Sequence, residues 1–201
     1  MPATRLIRTI AITGATLIGA AGLSIATVSP ASAASYTCNG YTATIVGTNG
    51  SDEIEGTRGR DVIVGLRGAD EIDGNGGNDV ICGNEGSDEL SGGSGNDWLQ
   101  GGTGNDDIDG DSGNDTMFGS TGHDDLEGSS GRDKLDGGAG NDHIEGGSSR
   151  DRLYGKGGHD LLEGGTASDY LNGGKDTDNK FQRYASERAE DRWENKYRSN
   201  D

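Results

Sequence analysis

The 201-residue sequence predicts an all-β protein wound as a parallel β-roll, or β-solenoid, with two sheets of short strands and a short C-terminal α-helix. Three observations predict it. From Gly47 the chain divides every nine residues without insertion or deletion, into fifteen turns that begin at Gly47, Gly56, Gly65 and so on to Gly173. The sixth position is aspartate in all fifteen turns, and the eighth is Ile, Leu or Met in the first fourteen, from Ile54 to Leu171. The fourth is glycine in the first eleven turns and again at Gly158.

Composition alone points elsewhere. Glycine accounts for 39 residues, where average usage gives about 14. Only 29% of residues are apolar and 5% aromatic, a balance typical of disordered chains. A disordered chain has no need of a fixed nine-residue period, whereas a stacked, quasi-one-dimensional architecture does. Periodicity therefore overrides composition.

Within each turn, six glycine-rich residues make a tight loop and the last three make a short strand with one side chain inward. Two turns form one coil, so alternate turns build opposite sheets, and a single file of Ile and Leu fills the gap between them. Stacked loops on one edge lie about 4.8 Å apart, and each brings one carboxylate and several backbone carbonyls. Without a counter-ion, such neighbouring carboxylates repel by roughly 1 kcal/mol per pair even in water. An ion held between two loops is surrounded by oxygen, which suits a hard cation with six to eight oxygen ligands. Each ion needs two stacked loops, which sets a ceiling of about a dozen ions. Metal binding is then coupled to folding.

The segment Gly137-Gly138-Ala139-Gly140-Asn141-Asp142-His143-Ile144-Glu145 is similar to the GGxGxDxUx nonapeptide of the RTX family, known for a Ca²⁺-loaded parallel β-roll. The likeness is close over residues 47–172 and poor over 173–181. The opening Ala43-Thr44-Ile45-Val46-Gly47-Thr48, with Cys38 before it and Ile81-Cys82-Gly83 after, resembles small exported RTX-like proteins of actinobacteria. The resemblance implies that the sixth-position side chains ligate Ca²⁺ together with loop carbonyls. Those residues are Asp52, Asp61, Asp70, Asp79, Asp88, Asp97, Asp106, Asp115, Asp124, Asp133, Asp142, Asp151, Asp160 and Asp169. In the last turn Asp176 replaces the fourth glycine and Lys180 the inward apolar residue, so the coil is expected to end near Asn172, without Asp178 as a ligand. Ser149 and Ala167 replace the same glycine in two earlier turns.

The repeat sets the domain boundaries. Residues 1–34 read as a signal peptide, with Arg5 and Arg8 as its positive region, an apolar run from Ile10 to Val28, and Ala31-Ser32-Ala33 as the cleavage site. A membrane anchor is the alternative, diluted by Thr and Gly. After signal removal no stretch could span a bilayer, and the mature chain is expected to be secreted and extracellular. Residues 35–46 are an N-terminal cap strand, 47–181 the roll, and 182–201 an amphipathic helix in which Phe181, Ala185, Ala189, Trp193 and Tyr197 recur every four residues. That helix is either a cap on the last turns or a partner-binding element.

The outward positions differ between the two sheets. One face carries Glu53, Glu71, Glu89, Asp107, Asp125, Glu127 and Glu145; the other carries Val62, Val64, Val80, Cys82, Trp98, Phe118, Tyr154 and Tyr170, with Lys134, Asp136 and Arg152 among them. An apolar outer face is covered or used. A Cys38–Cys82 disulfide would clamp the N-terminal segment over its first part, with two free thiols or an intermolecular bridge as the alternatives.

The formal net charge is −18, and residues 1–34 hold two arginines and no acid, so the rest of the chain is more acidic still. Such a chain repels nucleic acid and anionic membranes and attracts cations. Nothing points to an enzyme. Gly110-Asp111-Ser112-Gly113 imitates a serine-protease nucleophile segment but lies in register within a repeat, and His123 and His159 stand four turns apart. The expected function is that of a secreted calcium-binding protein that folds on binding Ca²⁺. The alternative is an adhesin or matrix protein that uses the rigid roll as a spacer and meets the cell wall or another extracellular protein.

Overall fold

The computed structural model describes residues 8–10 and 36–181. The nonapeptide alternation builds two parallel sheets back to back. One, of nine strands, runs Arg8–Ile10, Asp52–Glu55, Glu71–Asp73, Glu89–Ser91, Asp107–Asp109, Asp125–Glu127, His143–Glu145, Leu161–Glu163, Asn179–Phe181. The other, of eight, runs Ile45–Val46, Val62–Arg67, Val80–Glu85, Trp98–Thr103, Thr116–Thr121, Lys134–Ala139, Arg152–Gly157, Tyr170–Asn172. Neighbouring strands pair in register across one coil, as in Leu99↔Met117 and Ile108↔Leu126.

The core between the sheets is one residue wide. Ile45, Ile54, Ile63, Ile72, Ile81, Leu90, Leu99, Ile108, Met117, Leu126, Leu135, Ile144, Leu153 and Leu162 form a continuous buried file, with Leu171 half-buried against its end. Since strand side chains alternate in direction, one inward residue per strand is enough to build the file.

Three features differ from the sequence expectation. Between its two end strands, the second sheet has strands of six residues rather than three, because the first positions of the following turn stay extended and paired, as in Gly102↔Ser120 and Thr103↔Thr121. Ile45–Val46, within the expected cap, is already a rung of the second sheet, with Ile45 in the core. And the roll continues past Asn172. The Gly164 N–H donates to the Phe181 carbonyl at 2.8 Å, and Asn179 donates to Asp160, also at 2.8 Å. These main-chain bonds carry one more rung, with Lys180 half-buried in the inward place.

Arg8–Ile10 pairs parallel with Asp52–Ile54 at the outer edge of the first sheet. The remainder of the expected signal segment and the expected helix over 182–201 lie outside the described residues. No helix among the described residues is long and apolar enough to cross a membrane.

Residues Thr37–Cys38 and Tyr41–Thr42 form an antiparallel hairpin around Asn39 and Gly40, both at positive φ, as a tight two-residue hairpin turn requires. The hairpin covers the first part of the apolar face. Cys38, Val62, Val64, Val80 and Cys82 are buried together, with Ala43, Leu66 and Trp98 packed around them. Cys38 and Cys82 are joined by a disulfide. Farther along, the same face carries the tilted ring pairs Trp98–Phe118, at 5.4 Å, and Tyr154–Tyr170, at 5.7 Å. Lys134 lies over the Phe118 ring and Lys156 over the Tyr154 ring.

The disulfide closes a loop of 44 residues, and cross-linking a chain of that length stabilises by about 4 kcal/mol through the unfolded state. Cys38→Ser is expected to lower the midpoint of denaturant unfolding and to expose the Val62–Val80 layer, measured by urea titration with tryptophan fluorescence.

Candidate metal centre

The loops stack as regularly as the strands and place the aspartates in two files, one along each edge of the roll. From Asp52 to Asp160 every sixth-position aspartate is buried, none more than 6% exposed. Asp169 and Asp178 are half-buried at the C-terminal end. All of the sequence-predicted ligands therefore fall into the two files, each beside the aspartate one coil away.

The two carboxylate oxygens have different fates. Oδ1 accepts the backbone N–H of the aspartate one coil earlier. Asp106 N–H donates to Asp124 Oδ1 at 3.0 Å and Asp97 N–H to Asp115 Oδ1 at 2.8 Å, and the pattern runs from Asp52→Asp70 to Asp160→Asp178. Oδ2 of Asp70, Asp79, Asp88, Asp97, Asp106, Asp115, Asp124, Asp133, Asp142, Asp151 and Asp160 is buried with no hydrogen-bond partner. An orphaned buried carboxylate oxygen costs several kcal/mol unless something neutralises it.

These oxygens face a space lined by backbone carbonyls. A Cβ built on Gly74 would meet the Gly92 carbonyl oxygen at 2.7 Å and Asp79 Oδ2 at 2.8 Å. One on Gly128 would meet the Gly146 carbonyl oxygen at 2.6 Å and Asp133 Oδ2 at 2.9 Å. The first-position glycine thus leaves open a cradle in which a carboxylate oxygen and a carbonyl of the next coil converge. The second position bends the loop back: from Leu66 to Gly174 every residue there has positive φ, including Asn75, Asp111 and Lys156. Most of these are Gly, Asn, Asp or Ser, the types that tolerate this region best or bond locally within it.

Among the described residues no three His, Cys, Asp or Glu side chains come close enough to hold a metal by themselves. The donor set is instead one carboxylate per loop with main-chain carbonyls. All-oxygen, irregular and built from flexible loops, it fits Ca²⁺ better than a nitrogen- or sulfur-seeking metal.

Burial raises the carboxyl pKa values of the file aspartates from Asp70 to Asp160. Asp106, Asp115 and Asp151 are pushed from 3.8 up to about 7, and Asp70, Asp79, Asp97, Asp133 and Asp142 up to about 6. The main-chain N–H bond to Oδ1 opposes the shift. Carboxylates one coil away add to it, as Asp88 and Asp124 do for Asp106.

The decoys are absorbed into the stack. The Ser112 hydroxyl donates to the Gly93 carbonyl at 3.3 Å, in a row with Ser94, Ser130 and Ser148. His123 Nδ1 accepts the Asn141 N–H at 2.8 Å, and His143 pairs outward with Asp125 at 2.9 Å. What sequence reasoning missed is a pair of threonines. At Asp52 and Asp61, Oδ2 is not orphaned: Thr48 donates its N–H at 2.6 Å and its hydroxyl at 2.9 Å, and Thr57 does the same at 2.6 and 2.8 Å. A threonine at the second position, where other turns hold a residue at positive φ, was the available signal.

Fold and site together define a parallel β-roll with two files of cation-seeking loops. The pattern of the RTX calcium-binding nonapeptide repeat matches in four copies, over residues 46–81, 83–117, 118–153 and 145–179. The chain belongs to this family, whose repeat is a calcium-binding structural element. No curated protein aligns significantly with it.

Two outcomes are expected. Because the folded carboxyls titrate above their unfolded value, ion-free protein gains stability below about pH 4 and loses it as pH rises through 6 to 7. In chelator, far-ultraviolet circular dichroism should show strand at pH 4 and its loss by pH 8, while calcium affinity rises over the same interval. Gly128→Ala puts a methyl into the cradle and should remove at least one ion, counted by equilibrium dialysis. Gly157→Ala, where the nearest atom is a carbonyl oxygen at 3.8 Å, should keep the full count.

Proposed function

We propose that this chain is a secreted calcium-binding protein without catalytic activity, whose roll folds when several Ca²⁺ ions enter between stacked loops. One observation carries the reading: eleven aspartate Oδ2 atoms are buried without partners, all in the same place in their turn. A folded protein does not keep such a column of charge unless a cation or protons neutralise it, and at neutral pH the cation is the effective neutraliser. The sixth-position aspartates of the two files would supply the side-chain ligands, and loop carbonyls the rest.

Export is supported by the character of residues 1–34 and by the disulfide, which belongs to an oxidising compartment. Calcium is scarce inside cells and abundant outside, so a chain of this kind would cross the membrane unfolded and take shape afterwards. The acidic face then stays solvated, while the ring pairs Trp98–Phe118 and Tyr154–Tyr170 offer the surface for a wall polymer or extracellular protein.

Circular dichroism at pH 7.5 on the chain without residues 1–34 tests ion-coupled folding. Strand signal is expected to appear on adding Ca²⁺ and to vanish on adding chelator. A strand-rich spectrum that persists in chelator at that pH would sink the proposal.

A further inference from the structure

The first loop of each edge is built differently from the rest. Asp52 is the first aspartate of one file and Asp61 the first of the other, and only these two have threonine at the second position of their turn. From Leu66 onward the second-position residue has positive φ; Thr48 and Thr57 do not. The same change reaches the fourth position, where Gly68, Gly77 and Gly86 have φ of 130, 138 and 154° but Gly50 and Gly59 are not positive. The cause is local. A β-branched residue avoids the left-handed region, so threonine sends the loop another way.

The different path brings donors to the carboxylate. Asp52 Oδ2 receives the Thr48 N–H and hydroxyl, and the hydroxyl lies 3.1 Å from Oδ1 as well. Asp61 Oδ2 receives the N–H and hydroxyl of Thr57. The Gly50 and Gly59 N–H groups donate to the same two hydroxyls at 3.2 and 3.1 Å. Two hydrogen bonds to one ionised oxygen are of the strong, charge-assisted kind. From Asp70 to Asp160 the corresponding oxygen has no partner at all.

We propose that Thr48 and Thr57 are built-in substitutes for the cation at the first loop of each edge, so that Asp52 and Asp61 bind no ion and the two ion files begin at Asp70 and Asp79. The inference rests on the calcium reading above. It gives the roll an end that needs no metal, the end that also carries the disulfide and the second apolar layer of Val62, Val64, Val80 and Cys82. Loops farther along have neither threonine nor staple and depend on the ion.

Native mass spectrometry in saturating CaCl₂, on the chain without residues 1–34, counts the ions. Asp52→Asn and Asp61→Asn are expected to leave the count unchanged and the half-saturating calcium concentration within about two-fold. Asp88→Asn and Asp97→Asn should each lower the count by at least one. Loss of an ion in either of the first two variants overturns the proposal. The Thr48→Gly, Thr57→Gly double variant gives an independent reading, because glycine restores access to positive φ and uncovers both oxygens. One added ion on each edge supports the proposal, and an unchanged count overturns it. Absence of any bound calcium in the unsubstituted chain is a different result, which overturns the calcium reading itself.

Discussion

The structure depends on a column of carboxylate oxygens packed where water does not reach. Along each edge, from Asp70 to Asp160, one oxygen of each file aspartate is committed to the main chain of the preceding coil, and the other is left beside carbonyls without a hydrogen-bond partner. Both sets of atoms are negative, and only a positive species between them turns repulsion into attraction. The core cannot compensate by itself, since it is a single file of aliphatic side chains from Ile45 to Leu162 with no second row behind most of it. The roll thus joins an apolar inner layer to edges lined with carboxylate and carbonyl oxygens.

The loop sequence follows from the same constraint. At the first position a side chain would occupy the space that the carboxylate and carbonyl oxygens enclose. At the fourth, Gly113 and Gly131 combine φ near 145° with direct approach to the glycine one coil earlier, which excludes any Cβ. Glycine is thus selected by two separate requirements, room at one position and backbone conformation at another. Ser149 keeps positive φ, at 82°, whereas Ala167 does not, so the second requirement relaxes only at the C-terminal end.

Most of the fold was legible because its signal is periodic. A nine-residue spacing with one inward aliphatic residue leaves few architectures, and the positions of Ile54 through Leu162 followed from counting. The unequal strand lengths were not legible, since they depend on whether the first residues of a loop stay paired across coils. Nor was the rung at Asn179–Phe181, which survives on main-chain hydrogen bonds despite an inward lysine. For the site, the aspartate column could be read directly, but the division of labour between Oδ1 and Oδ2 could not. The sequence marks Thr48 and Thr57 plainly, yet their meaning appears only when the donors are seen against Asp52 and Asp61.

The difference between the two outer faces sets the unit in which this molecule can change length. Within the aspartate files, each main-chain N–H bond to Oδ1 joins residues eighteen apart, as Asp97 to Asp115 does. Insertion or deletion of one nonapeptide would keep the spacing of aspartate and aliphatic residue, but would move every later turn to the opposite sheet. The ring pair Tyr154–Tyr170 would then emerge on the sheet that carries Glu53, Glu71 and Glu89, away from the face it now shares with Trp98 and Phe118. Gain or loss of two nonapeptides together leaves both faces, both edges and the disulfide end as they are. The gene repeats in units of nine residues, but the surface can be edited only in units of eighteen.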